Sequence, residues 1–114
     1  MRRIHALVVA GSFLGLAGVA QGVQAQSVDV AAAEALAKKS GCLKCHAIDR
    51  KKDGPAYKEV AAKYKGKPDA EEKLYTHLTT NPKVKVDGKE EQHESLKTKD
   101  DAAIKNVVRW ILSR

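Results

Sequence analysis

The stretch SGCLKCHAIDR, residues 40–50, brings both cysteines of the chain and one of its four histidines into the five positions 42–46. Cys42 and Cys45 are separated by two residues, about one helical turn, so both thiols point to one side. They can then add to the two vinyl groups on one edge of a haem. His46, the next residue, stands where its imidazole reaches the iron from one face, and Cys-x-x-Cys-His is the attachment signature of a c-type haem. Other uses of the two thiols fit less well. A thioredoxin-like redox pair needs a strand and helix context that the surrounding residues lack. A zinc site wants four suitably spaced ligands, and there is no second cysteine pair. A structural disulfide suits an exported chain but leaves His46 without a purpose.

The chain is exported, on the reading of its first residues. Met1-Arg2-Arg3 precedes an apolar run from Ala6 to Ala20, followed by Val23-Gln24-Ala25, the layout of a secretory signal peptide cut after Ala25. The run is short for a membrane span, and Gln21, Gln24 and Gln26 follow it instead of a stop-transfer segment, so no stable membrane anchor is expected. Residues 1–25 are therefore assigned to the signal and residues 26–114 to one small domain.

Residues 26–114 contain 16 Leu, Ile and Val and no Phe, below the roughly 20% at which a chain ordinarily builds a core of its own. A domain this small usually needs a staple such as a metal or a cofactor, and a flat apolar macrocycle would supply the missing interior. Once Arg2 and Arg3 leave with the signal, the formal charge is +5, before haem propionates reduce it.

Four helices must position the motif. Asp29 can cap the first, from Val30 to about Ser40, with Gly41 suited to the left-handed position after it. A second is expected from Tyr57 to Tyr64 after Asp53-Gly54-Pro55, and a third from about Asp69 to Thr79, with carboxylates in its first turn and Leu74 and Leu78 on its buried side. Residues 81–97 read as loop. For the last helix Thr98 is the expected cap, and Ile104, Val107, Val108, Ile111 and Leu112 recur at helical spacing. Trp110 borders that stripe and is read as core.

GCLKCHAIDRKKDGPAYKEVAAKYKG and the C-terminal VVRWIL together resemble the short, single-haem bacterial class I cytochromes c, over nearly all of the chain after Ala25. The resemblance implies an all-α fold of about four helices wrapped round one covalently bound haem c and its iron, with the first and last helices crossing. It also implies that Pro55 offers its carbonyl to the ring N–H of His46, orienting the imidazole and raising its basicity. It is weakest at residues 81–97, where no Trp or Phe is available for a propionate. Tyr57, Tyr64 and Tyr75 are substitutes for that contact.

In this family the second axial ligand is usually a Met before the last helix. The only Met here is Met1, in the signal. His93, in KEEQHESLKT, lies in the comparable loop and is the expected second ligand, with a lysine such as Lys89, or no second ligand at all, as the alternatives. His77, three residues after Leu74, is read as a helix-surface or propionate-side histidine.

No nucleophile with its base, paired carboxylates or phosphate loop can be found, so the chain is not expected to be an enzyme. The expected function is a periplasmic electron carrier with bis-histidine ligation, of lower potential than Met-ligated relatives because a Met ligand raises the potential. The alternative is a gas-binding or sensing haem protein with a detachable His93. A monomer is expected. Lys44, Lys51, Lys52, Lys83, Lys85 and Lys89 would steer redox partner proteins, acidic ones among them, and nucleic acid is not an expected partner. The intact mass of the exported protein should equal that of residues 26–114 plus one haem, measured by mass spectrometry under denaturing conditions; a mass without haem would exclude covalent attachment.

Overall fold

The computed structural model describes residues 27–114, together with Gly18. The signal assigned to residues 1–25 and its cut after Ala25 lie outside the described residues. Four α-helices follow one another: α1 (Val30–Lys39), α2 (Tyr57–Tyr64), α3 (Ala70–Thr79) and α4 (Asp101–Leu112). A single 3-10 turn, Cys42–Lys44, follows α1, and a β-hairpin of β1 (Lys83–Val86) and β2 (Lys89–Gln92) lies between α3 and α4.

α4 is the spine. Of the stripe that the spacing predicts, Ile104, Val107, Val108 and Ile111 are buried and Leu112 is half-buried, while Trp110 is buried with them; α1, α2 and α3 all pack against α4. α1 contributes small side chains, Ala33 and Ala37, both fully buried. One turn apart on one face, they let the two backbones approach closely. Leu74 and Leu78 of α3, Tyr57 of α2 and Leu96 complete the cluster.

Polar ties hold α1 to α4 at one end and to the segment before α4 at the other. The Asp29 amide donates to Asn106 Oδ1 at 2.9 Å, and Asn106 Nδ2 donates back to the Asp29 carbonyl at 2.8 Å. At the other end the buried Ser40 hydroxyl accepts from the Lys97 amide at 2.9 Å. Asp29 caps α1 as expected, accepting from the Ala32 amide at 3.0 Å, and Gly41 takes the left-handed conformation at φ 79°.

Two expectations need correction. α4 is capped by Asp100, not Thr98: the Asp100 carboxylate accepts from the amides of Ala102 and Ala103, while the Thr98 hydroxyl accepts from the Asp100 amide in the turn before it. A charged acceptor at the dipole's positive end outcompetes a hydroxyl two residues earlier. Residues 81–97 are not all loop. Lys-Val-Lys-Val alternates as a strand does, and Asp87 and Gly88, both at positive φ (50° and 78°), form the two-residue turn that favours a hairpin.

Trp110 is 1% exposed and belongs to the core, as its reading from the sequence expects. Trp110→Ala should cost about 3–5 kcal/mol, a large part of a small domain's stability. Urea denaturation followed by far-UV circular dichroism measures the loss.

Candidate functional site

The 3-10 turn presents the motif. The amides of Cys45 and His46 both donate to the Cys42 carbonyl, at 3.2 and 3.0 Å, which winds the five residues tightly and sends His46 inward. The two cysteines are not joined to each other, Cys45 being exposed and Cys42 half-buried. No group of three or more His, Cys, Asp or Glu side chains arranged to hold a metal ion occurs among the described residues. The zinc and disulfide readings therefore gain nothing from the structure.

After His46 the chain loops out and returns. The Gly54 amide donates to the Cys45 carbonyl at 2.7 Å, and the amides of Tyr57 and Lys58 donate to the carbonyls of Ala47 and Ile48. This closure brings Pro55 against the histidine: His46 Nδ1 lies 2.7 Å from the Pro55 carbonyl oxygen. A carbonyl can only accept, so Nδ1 carries the proton and Nε2 is left with its lone pair.

Two further residues shape the His46 ring, and sequence reasoning did not single out either contact. Tyr57 stacks on it, with ring centroids 5.0 Å apart and planes 19° from parallel. Gly54 lies so close that a Cβ there would meet His46 Cε1 at 2.5 Å and Nδ1 at 2.8 Å. The Gly-Pro pair is visible in the sequence as the turn before the second helix and as part of the family resemblance; that the glycine is a cradle for an imidazole needs the three-dimensional loop. Tyr57 also hydrogen-bonds its hydroxyl to the Cys42 sulfur, and burial raises the pKa of both groups above their ordinary values.

His93 follows the hairpin. Its amide donates to the Pro82 carbonyl at 2.8 Å and its carbonyl accepts from Asn81 Nδ2 at 3.0 Å, so its backbone is tied on both sides to the start of the hairpin. Its half-buried ring faces His46, the centroids 6.1 Å apart and the planes 55° from parallel. His77, from α3, is half-buried too and lies 4.2 Å from His93, centroid to centroid, a pairing not anticipated from the sequence. Burial lowers the pKa of both His77 and His93, and the neighbouring histidines add to the effect. Both rings are therefore held towards the neutral form that can ligate a metal.

Of the tyrosines offered as propionate contacts, Tyr57 is taken up by His46 and Cys42, and Tyr75 hydrogen-bonds to Asp101. Tyr64 has Lys63 and Lys67 over its ring. The six lysines named above are all exposed. Lys52 donates to the Leu43 carbonyl at 2.8 Å and Lys83 pairs with Glu90 at 2.9 Å.

Turn, loop closure and crossed helices are those of a class I cytochrome c fold. The family described as Cytochrome c matches residues 30–114. Cytochrome c-551 of Pseudomonas aeruginosa is 38% identical over 96 residues, which cover 84% of this chain and 85% of that one. Among solved structures, the class 1 cytochrome MtoD from Sideroxydans lithotrophicus ES-1 is similar at 54% identity and a TM-score of 0.73, covering 76% of this chain and 97% of that one. Nitrosomonas europaea cytochrome c552 matches at 32% identity and a TM-score of 0.56, covering 70% and 96%. The chain belongs to the cytochrome c family. It is an electron-transfer protein with one covalently attached haem c and its iron.

The residues fit that group. An imidazole nitrogen binds a first-row metal at about 2 Å, which puts the ring centroid about 3 Å from the metal, so two such rings on opposite faces stand about 6 Å apart. The separation of His46 and His93 matches.

Because the Cβ of an alanine at position 54 would overlap the His46 ring, Gly54→Ala should displace the imidazole from the Pro55 carbonyl. The expected result is a holoprotein whose His46 ring N–H resonance is shifted or lost in proton NMR. An unchanged resonance would mean that the loop yields instead of the ring.

Proposed function

We propose that this cytochrome is a periplasmic electron carrier whose iron is held between His46 and His93, with a potential below that of Met-ligated relatives. One observation carries the reading: the His93 ring faces His46 at 6.1 Å, in a chain with no Met after Met1.

Each residue has a task. Cys42 and Cys45 tether the macrocycle. Pro55 fixes the His46 tautomer and, as a hydrogen-bond acceptor behind the ligand, raises its basicity. Tyr57 and Gly54 hold the ring plane. Asn81 and Pro82 hold the backbone of His93. Haem supplies the redox chemistry, one electron in and one out, and two strong axial ligands leave substrate no open position. Imidazole in place of a thioether favours the ferric form and lowers the potential.

Exposed Leu43, 39% accessible, lies within the Cys motif, with Lys44, Lys51 and Lys52 exposed nearby in the chain. An apolar contact flanked by lysines suits brief docking to redox proteins with acidic surfaces, at rates that fall as salt rises. Export through the N-terminal signal accords with covalent haem attachment outside the cytoplasm, and a single domain with no helix long and apolar enough to cross a membrane among the described residues accords with a diffusing monomer.

A second reading, a gas-binding or sensing protein with a detachable His93, is favoured by one feature. His93 Nδ1 is buried without a well-formed hydrogen bond, so its ring has only the looser contact with the Glu94 backbone in place of the support that Pro55 gives His46.

Absorption spectra of the wild type beside His93→Ala test the proposal. The wild type should be low-spin in both oxidation states without the near-infrared Met-to-iron band, and the variant should become high-spin when reduced. A low-spin reduced variant would remove His93 from the iron. Rapid carbon monoxide binding to the reduced wild type would favour the gas-binding reading.

A further inference from the structure

The two imidazoles are held by different means. His46 has a hydrogen-bonded Nδ1, a stacked Tyr57 on its ring and Gly54 beneath it. His93 is fixed at the backbone by Asn81 and Pro82, but that leaves the ring free to turn about its own side-chain bonds. Its Nδ1 is buried without a well-formed hydrogen bond, and the Glu94 backbone is the one acceptor near the ring. A metal-bound histidine almost always hands its other N–H to an acceptor, which fixes the ring plane; His46 has that support at 2.7 Å and His93 has only the looser Glu94 contact.

The neighbouring ring is His77. It lies 4.2 Å from His93 with the planes 54° apart, at least as close as packed aromatic pairs usually stand. His77 sits on α3 between Leu74 and Leu78, both buried in the core, so its Cα cannot follow a moving loop. His93 stands at the end of a hairpin that makes its main contacts within itself. A rigid helix thus braces a ring carried by a lightly attached element.

We infer that His77 is the positioning residue for the second axial ligand: its ring fixes the plane of the His93 imidazole and slows its departure from the iron. This rests on the reading of His93 as a ligand. The role is steric, a flat ring against a flat ring. Another aromatic side chain should therefore fill it, and a methyl group should not.

Two readouts report on the plane and on the departure. The angle between two imidazole planes sets the splitting of the iron dπ orbitals, so the g values of the ferric EPR spectrum follow ring orientation. Carbon monoxide binding to the reduced protein must wait for His93 to leave.

On exported holoprotein, His77→Ala should shift the ferric g values and speed carbon monoxide binding about tenfold, the lower end of the effect of losing a partner behind a metal ligand. His77→Phe should stay within about twofold of wild type, because the bracing is by shape. In a His93→Ala background, His77→Ala should change nothing further. Unchanged g values and an unchanged rate in His77→Ala would overturn the inference while leaving His93 as ligand. A His77→Phe variant as fast as His77→Ala would overturn the steric role. If His93→Ala alone remains low-spin and loses that state only when His77→Ala is added, His77 is itself a ligand, and both the inference and the bis-histidine reading at His93 fall.

Discussion

The hydrogen bond from His46 Nδ1 to the Pro55 carbonyl, 2.7 Å long, constrains more of this molecule than any other contact. It decides which ring nitrogen faces a metal, and it forms only because residues 47–54 loop out and return to the motif. That return needs a glycine at position 54, where the imidazole leaves no room for a Cβ. It also delivers Tyr57 to the start of α2, where its ring stacks on His46 on one side and meets Trp110 edge-on at 5.4 Å on the other. The site is thereby coupled to α4: any shift of the C-terminal helix passes through two aromatic rings to His46.

The rest of the fold compensates for a shortage of apolar side chains. α1 buries alanines, which add little transfer free energy each but permit close crossing of α4. α1 is then pinned to α4 by Asn106 at one end and, through Ser40, to Lys97 of the segment before α4 at the other. Each such bond contributes only about 0.5–1.5 kcal/mol net. Their larger effect is on specificity, since a slid or rotated α1 would leave Asn106 and the buried Ser40 without partners. Covalent haem, which family membership brings, adds the apolar surface that the chain does not encode.

The parts of this arrangement that were legible in the sequence are those with local causes. α2 was readable to the residue because Pro55 precedes it and Gly66 follows it, and the stripe of α4 because burial on one face imposes a 3.6-residue period. The hairpin was missed although Val84, Val86 and the Asp87-Gly88 turn announce it; the high charge of the segment, with three lysines and three acids between Lys83 and Gln92, masked a two-residue alternation too short to dominate. Gly54 beneath His46 and the pairing of His77 with His93 were not legible at all. Each joins residues through a loop closure or across elements, and the spacing of one helix carries no information about a ring on another.

The hairpin matters for the site through its register. The Pro82–His93 bond extends the pairing of Lys83 with Gln92 by one step, so alternation puts His93 on the same face as Glu91 and its partner Val84. Val84 and Val86 are half-buried while Lys83 and Lys85 are exposed, so on β1 that face is the less exposed of the two. A slip of one residue would carry every side chain, His93 included, to the opposite face. The turn that forbids the slip is Asp87-Gly88, whose two positive φ values define a loop of fixed length. The direction of the proposed second ligand is thus set by two residues at the far end of the hairpin, and the stability of its ring by a helix that the hairpin does not belong to.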